Sequence, residues 1–223
     1  MAQPTLCAAP IQGTRMRIVR LNECGVPVTG VGGQVVTEGF VQVEVTQTYE
    51  DGTEYQRRNA QGDFCVNRVG PDQFRRVDLS IQFCAIDPDV VNLITGSTIV
   101  VTGAPVTGTG FWVVEGAVET RFSLEVWQSI GDVDPCLGSV TQRHVYWAFP
   151  NLGSGRFNDF TIQDDVLEWS LSARSQIASP LWGAGPTTVD WISAVPTNAH
   201  FGFNIAALPL PTVTGCGAAS LAA

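Results

Sequence analysis

The chain has 223 residues, 44% of them hydrophobic, enough to bury a sizeable core in one large or two small all-β domains. Its formal charge is −9, and its 12 basic residues are all Arg, placed singly or in isolated pairs such as Arg57-Arg58 and Arg75-Arg76. Stable phosphate-driven binding of nucleic acid needs clustered cations and is excluded on that ground; no apolar run reaches membrane-helix length, and residues 1–10 lack the basic start and apolar core of a signal peptide.

Residues 1–14, with Pro4, Pro10 and Gly13, show little alternation and read as an N-terminal arm. A first strand is predicted at residues 16–21, followed by a turn-rich stretch through Gly25, Pro27, Gly30 and Gly32-Gly33. Residues 40–49 alternate with a period of two. Val41, Val43 and Val45 form one face, expected to meet a core; Gln42, Glu44, Thr46 and Thr48 form the other, expected to meet water. Residues 77–84 repeat the pattern, with Val77, Leu79, Ile81 and Phe83 opposed to Asp78, Ser80, Gln82 and Cys84, so the two strands are predicted to pair.

Residues 50–76 between them are too many for a simple hairpin turn and are read as a long polar loop. The loop carries apolar anchors (Tyr55, Phe64, Phe74) and charges (Asp51, Glu54, Arg57, Arg58, Arg68), which suggests a partner. One helix is predicted over residues 87–96. Asp87 caps it, Pro88 suits its first turn, Asp89 suits its positive end, and Gly96 ends it, with Val90, Leu93 and Ile94 as the buried stripe. Further strands are predicted at 98–101, 110–114, 120–127, 143–149, 158–162, 166–173 and 200–205, and residues 207–223 read as a Pro- and Ala-rich C-terminal arm. Strands do not alternate with helices and no linker divides residues 15–206, so the fold predicted is an all-β sandwich with one flanking helix.

No catalytic constellation emerges. The chain has two histidines, His144 and His200, and neither has a local nucleophile signature. Gly-rich stretches at 30–33 and 107–110 lack the Lys and the following helix of a phosphate loop. Asp87, Asp89, Asp164 and Asp165 do not have calcium-loop spacing. The six cysteines form no Cys-x-x-Cys pair, so no metal is expected and buried or half-buried free thiols are. Trp182 and Trp191 are the candidates for exposed aromatic platforms, which would favour an alternative reading as a host-surface or carbohydrate-binding module.

Several motifs in order carry a family likeness: Leu21-Asn22-Glu23-Cys24-Gly25, Tyr49-Glu50-Asp51-Gly52, Asp87-Pro88-Asp89 and Val145-Tyr146-Trp147-Ala148-Phe149-Pro150. In these, across most of its length, the chain resembles the major tail (tail tube) proteins of long-tailed phages that infect actinobacteria. The resemblance implies a structural virion protein, with no enzymatic turnover and no cofactor, made in the host cytoplasm and built into the virion tail. Its six-membered rings would stack into a tube, with inner sheets joining between subunits into a large β-barrel. The implied partners are other copies of the chain, a tape-measure protein, tail terminator and distal tail proteins, and transiting DNA that does not stick. Gln42, Glu44, Thr46, Thr48, Asp78, Ser80 and Gln82 would line the lumen, with Glu44 and Asp78 repelling phosphate, and the 50–76 loop would join one ring to the next.

Overall fold

The computed structural model describes residues 10–103, 107–116, 119–130, 144–162, 164, 169–180, 182, 195–196, 198–206, 210–215 and 219–221. Thirteen strands and one helix are described: β1 Pro10–Leu21, β2 Gly30–Thr37, β3 Phe40–Glu50, β4 Glu54–Arg58, β5 Phe64–Val69, β6 Gln73–Phe83, α1 Pro88–Thr95, β7 Thr98–Thr102, β8 Thr107–Trp112, β9 Arg121–Ile130, β10 His144–Phe157, β11 Trp169–Ser175, β12 Gly202–Ala206 and β13 Ala219–Leu221. Nine of the strands form one antiparallel sheet in the order β13-β2-β1-β9-β10-β11-β6-β3, with β12 added alongside β10. Among the described residues β4 pairs only with β5, and β7 only with β8.

β10 turns this sheet into a sandwich. Its first half lies between β9 and β12, and from Leu152 onward it pairs with β11. The register shifts after Phe149 and again after Gly153, where Ser154 takes a left-handed conformation. Such irregularities bend a strand and increase its twist. The halves on either side of the bend close on one another. Met16, Ile18, Val35, Phe122 and Leu124 from one layer share a core with Val77, Leu79, Ile81, Phe83 and Leu171 from the other. The predicted all-β sandwich with one helix is therefore the observed fold.

The helix forms as its caps predict. Asp87 accepts a hydrogen bond from the Asp89 backbone N–H at 2.9 Å, Pro88 opens the first turn, and Gly96 sits at φ 73°, donating its N–H to the Asn92 carbonyl. Val90, Leu93 and Ile94 enter the core, joined by buried Val91, which the predicted stripe omits.

Other boundaries move. β1 begins at Pro10, so residues 10–14 of the expected arm belong to a strand. The stretch read as turns contains β2, whose Val35 and Val36 are buried. β10 runs eight residues beyond the predicted 149, and no strand forms over residues 158–162. In the expected C-terminal arm, Thr214 exchanges hydrogen bonds with Val36 and β13 pairs with β2, so this segment extends the sheet. Residues 1–9 and 166–168 lie outside the described residues.

A second apolar layer covers the outer face of β1, β9 and β10. Leu21, Trp127, Tyr146, Ala148 and Trp182 are buried there, with Val195 and Leu210 packed against them. Within it the Arg17 guanidinium grips the Glu125 carboxylate through two hydrogen bonds, and the Tyr146 hydroxyl donates to the same carboxylate. Arg17 also lies 5.4 Å from the Trp127 ring centre.

Candidate functional site

The β3–β6 pairing is the predicted one, and its register assembles a continuous polar face. Gln42 opposes Gln82, Glu44 opposes Ser80, Thr46 opposes Asp78 and Thr48 opposes Arg76. Directly opposed residues share a face, so all seven residues expected together do stand together. The face continues onto β11, where Ser170, Ser172 and Arg174 oppose Gln82, Ser80 and Asp78, and onto β10 through Arg156 opposite Ser172. These were missed, although the alternation Ser170-Leu171-Ser172-Ala173-Arg174 carries the same period-two signal.

The electrostatics of this face differ from the expectation. Asp78 is bridged by the Nε atoms of Arg76 and Arg174, at 3.1 and 3.2 Å, and accepts a 2.7 Å hydrogen bond from the Thr48 hydroxyl. Burial alone would raise the Asp78 pKa. The Thr48 hydrogen bond, the hydrogen bond and charge of Arg76, and the charge of Arg174 outweigh it and hold the pKa below the usual value. Asp78 is thus a neutralised group rather than a source of repulsion. Glu44 and Asp78 share the face with Arg76, Arg156 and Arg174, so the surface is polar and nearly charge-balanced.

A pH dependence follows from that bridge. A folded-state pKa below the unfolded value of about 3.9 gives stability that is present above about pH 4 and lost as pH falls through the folded pKa. Asp78→Asn is expected to lower stability at pH 7 by up to about 1 kcal/mol, since the pair is partly exposed. The gap between variant and parent should close below pH 4. Denaturant titrations at pH 7 and pH 3 measure both, and an equal gap at the two pH values would rule out the bridge as its cause.

The opposite face of β3 also departs from the prediction. Val41, Val43 and Val45 were expected to pack the core, yet Val41 is 57% exposed and Val45 40%, and only Val43 packs partly against it. The reason is position. β3 ends the sheet, and its valines overhang an open mouth between the two layers, a groove of about 760 Å³ whose far wall includes Val126, Trp147, Phe149 and Phe203. Among the described residues β3 therefore presents a free backbone edge, beside an unfilled groove lined by these apolar side chains together with Gln12, Gln47 and Gln128.

Residues 50–76 are not an irregular loop. Past the β3–β6 ladder the chain narrows at Gly52 and Gly70, where a side chain on Gly52 would lie 1.9 Å from the Gly70 carbonyl oxygen. It then opens into the β4–β5 hairpin, every residue of which is exposed. Asn59 orders the tip by accepting hydrogen bonds from the N–H groups of Gln61 and Asp63. Tyr55 opposes Arg68 and Arg57 opposes Val66, which places these four on one face, while beyond a register shift Arg58 opposes Phe64, its guanidinium carbon 3.7 Å from the centre of that ring. Glu54 lies on the other face, and Asp51 is exposed at the base.

Of the two histidines, His144 is buried and His200 Nδ1 lies 2.8 Å from Ser175 Oγ. That oxygen is itself buried and accepts the Val77 backbone N–H, so the pair clips residues around 200 onto β6 and β11. Desolvation lowers the His200 pKa. Trp182, expected as an exposed platform, is fully buried, and Trp191 lies outside the described residues. The cysteines correct another expectation: Cys24, Cys65 and Cys84 are free but exposed, and Cys7, Cys136 and Cys216 lie outside the described residues. Among the described residues no helix is long and apolar enough to cross a membrane. Comparison with protein-family models and with curated proteins finds no match.

Proposed function

We propose that this chain is the repeating subunit of a phage tail tube, a structural virion protein without turnover. The observation that carries the reading is β3, an 11-residue edge strand with exposed valines beside an open groove lined by aromatic, aliphatic and glutamine side chains. A long exposed edge without Lys or Pro invites pairing with another chain. Pairing between copies around a six-membered ring closes the inner sheets into one barrel and removes the free edge. The face formed by Gln42, Glu44, Thr46, Thr48, Asp78, Ser80 and Gln82 then lines the channel.

The near balance of charge on that face supports passage of DNA in a different way from acidic repulsion. Its arginines at 76 and 174 are held by Asp78, so few free cations remain to release counterions from phosphate. The hairpin of β4 and β5 projects from the same two strands and joins successive rings. A tape-measure protein inside the tube, and terminator and distal proteins at its ends, complete the assembly in the virion tail. The carbohydrate-binding alternative loses its main support with Trp182 buried.

Negative-stain microscopy of the purified protein across a concentration series tests the reading. Rings or tubes of constant diameter are the expected result. Monomers at the highest attainable concentration, together with absence of the chain from tubes of disrupted virions, would overturn it.

A further inference from the structure

The β4–β5 hairpin concentrates positive charge on a chain that is otherwise acidic. Arg57 and Arg68 share a face with Tyr55 and Val66, with Tyr55 60% and Val66 47% exposed, while Arg58 stands over the Phe64 ring. Neither Arg57 nor Arg68 has an acidic partner among the described residues. Exposed arginines interleaved with Tyr55 and Val66, with the rest of the body at a net charge more negative still than −9, fit an acidic, partly apolar protein surface.

A surface of that chemistry exists at the opposite end of the same sheet. The hairpin leaves the Glu50–Gln73 end of the β3–β6 ladder. At the other end Phe40 and Trp169 flank Phe83, and the chain leaving β10 carries Asp159, Phe160, Ile162 and Asp164, all exposed. Ile162 is 84% exposed, Phe160 is 46% exposed and leans on the Trp169 ring at 4.8 Å, and neither aspartate has an ion-pair partner among the described residues. β6 has 11 residues and spans about 35 Å, with the hairpin extending beyond its Gln73 end, so the two surfaces stand at opposite ends of the molecule along the strand direction.

We infer that the Arg57–Arg68 face of the hairpin docks on the Asp159–Asp164 segment of a second copy, head to tail along the strands. The contact rests on the tube-subunit reading for its setting and assigns the chemistry of the axial joint: two arginines against two aspartates, with Tyr55 and Val66 against Phe160 and Ile162. Such a contact is heterologous, so each copy offers one donor and one acceptor surface and the series continues without closing on itself. Exposed ion pairs weaken with salt, so axial growth is expected to fall as ionic strength rises.

Charge exchange tests it, using the full chain. Arg57→Glu with Arg68→Glu, and separately Asp159→Arg with Asp164→Arg, should each raise the concentration needed for axial association on the order of tenfold or more. An equimolar mixture of the two variants, and a single chain carrying all four changes, should both recover it. Sedimentation and microscopy at two salt concentrations read the outcome, and thermal melts confirm folding, since all four sites are exposed. Tubes from either pair variant at parental concentrations would overturn the inference while leaving the tube reading intact. So would failure of the mixture and of the fourfold variant to recover. Recovery of association in open filaments without a closed ring would uphold the contact and overturn the tube reading. A parent chain that never associates, or one whose arginine face retains duplex DNA instead of a second copy, would overturn the inference.

Discussion

Glu125→Leu is expected to cost about 3–5 kcal/mol of folding stability, because it takes from the buried Arg17 charge the carboxylate that holds it through two hydrogen bonds. Glu125 is completely buried and Arg17 is 8% exposed, so water cannot replace the lost carboxylate. The Tyr146 hydroxyl loses its acceptor at the same time. For a chain of this length the midpoint of thermal unfolding should fall by roughly 10 °C. Arg17→Met alone should also destabilise, since Glu125 would keep only the Tyr146 hydrogen bond. The double variant Arg17→Met, Glu125→Leu should recover most of the loss, because apolar side chains of similar size fit between Trp127 and Ala148 without an ionic desolvation term. A melt series of the parent, both singles and the double checks this, and a Glu125→Leu cost below 1 kcal/mol would show that the pair is hydrated.

That pair also marks a limit of what the sequence discloses. In β1, Met16 and Ile18 point to the inner core, so alternation sends Arg17 to the outer face, where a charged residue is ordinarily read as solvated. Nothing local says that Trp182, Val195 and Leu210, between 165 and 193 residues further on, return to cover it. The helix lies at the other extreme. Its cap, its Pro, its terminal Gly and its apolar stripe are all local signals, and each is realised. The polar face of β3 and β6 was legible for the same reason, since period-two alternation fixes which residues share a side once two strands pair.

Where strands carry atypical residues, or where position in the sheet overrides pattern, the sequence misleads. β2 is hidden by Gly30, Gly32 and Gly33, because glycine marks turns more often than strands, although Val35 and Val36 fasten it to the core. The β4–β5 hairpin has no buried face, so its residues never show the alternation that announces a half-buried strand. The pairing of Asp78 with Arg174 joins residues almost a hundred positions apart through the β6–β11 register. A sequence reader sees only an acid on a polar face, and so expects repulsion where there is a bridge.

If copies pair through β3 as proposed, Val41→Lys with Val45→Lys is expected to abolish ring formation while leaving the subunit folded. Both positions are exposed, at 57% and 40%, so long side chains can reach water from the mouth of the sandwich with little strain. The buried partners of β3 across the ladder, Leu79 and Ile81, are untouched, and Val43 stays in its contact with the core. Stability should therefore change by no more than about 1 kcal/mol, the range of exposed substitutions. Assembly should respond far more strongly. Lysine on an edge strand is a recurrent device against strand pairing, because an incoming strand must desolvate the ammonium groups to reach the backbone. Here the two charges also stand in the groove beside Trp147 and Phe203, which a pairing copy would cover. The double variant should sediment as a monomer at concentrations where the parent forms rings, and it should fail to enter tubes when mixed with parent protein. Val41→Thr with Val45→Thr, which keeps β-branching without charge, should retain assembly and so separate the effect of charge from that of lost methyl groups. Rings of normal diameter from the Lys variant would mean that copies meet through another surface, and that the exposed valines of β3 face solvent in the assembled particle.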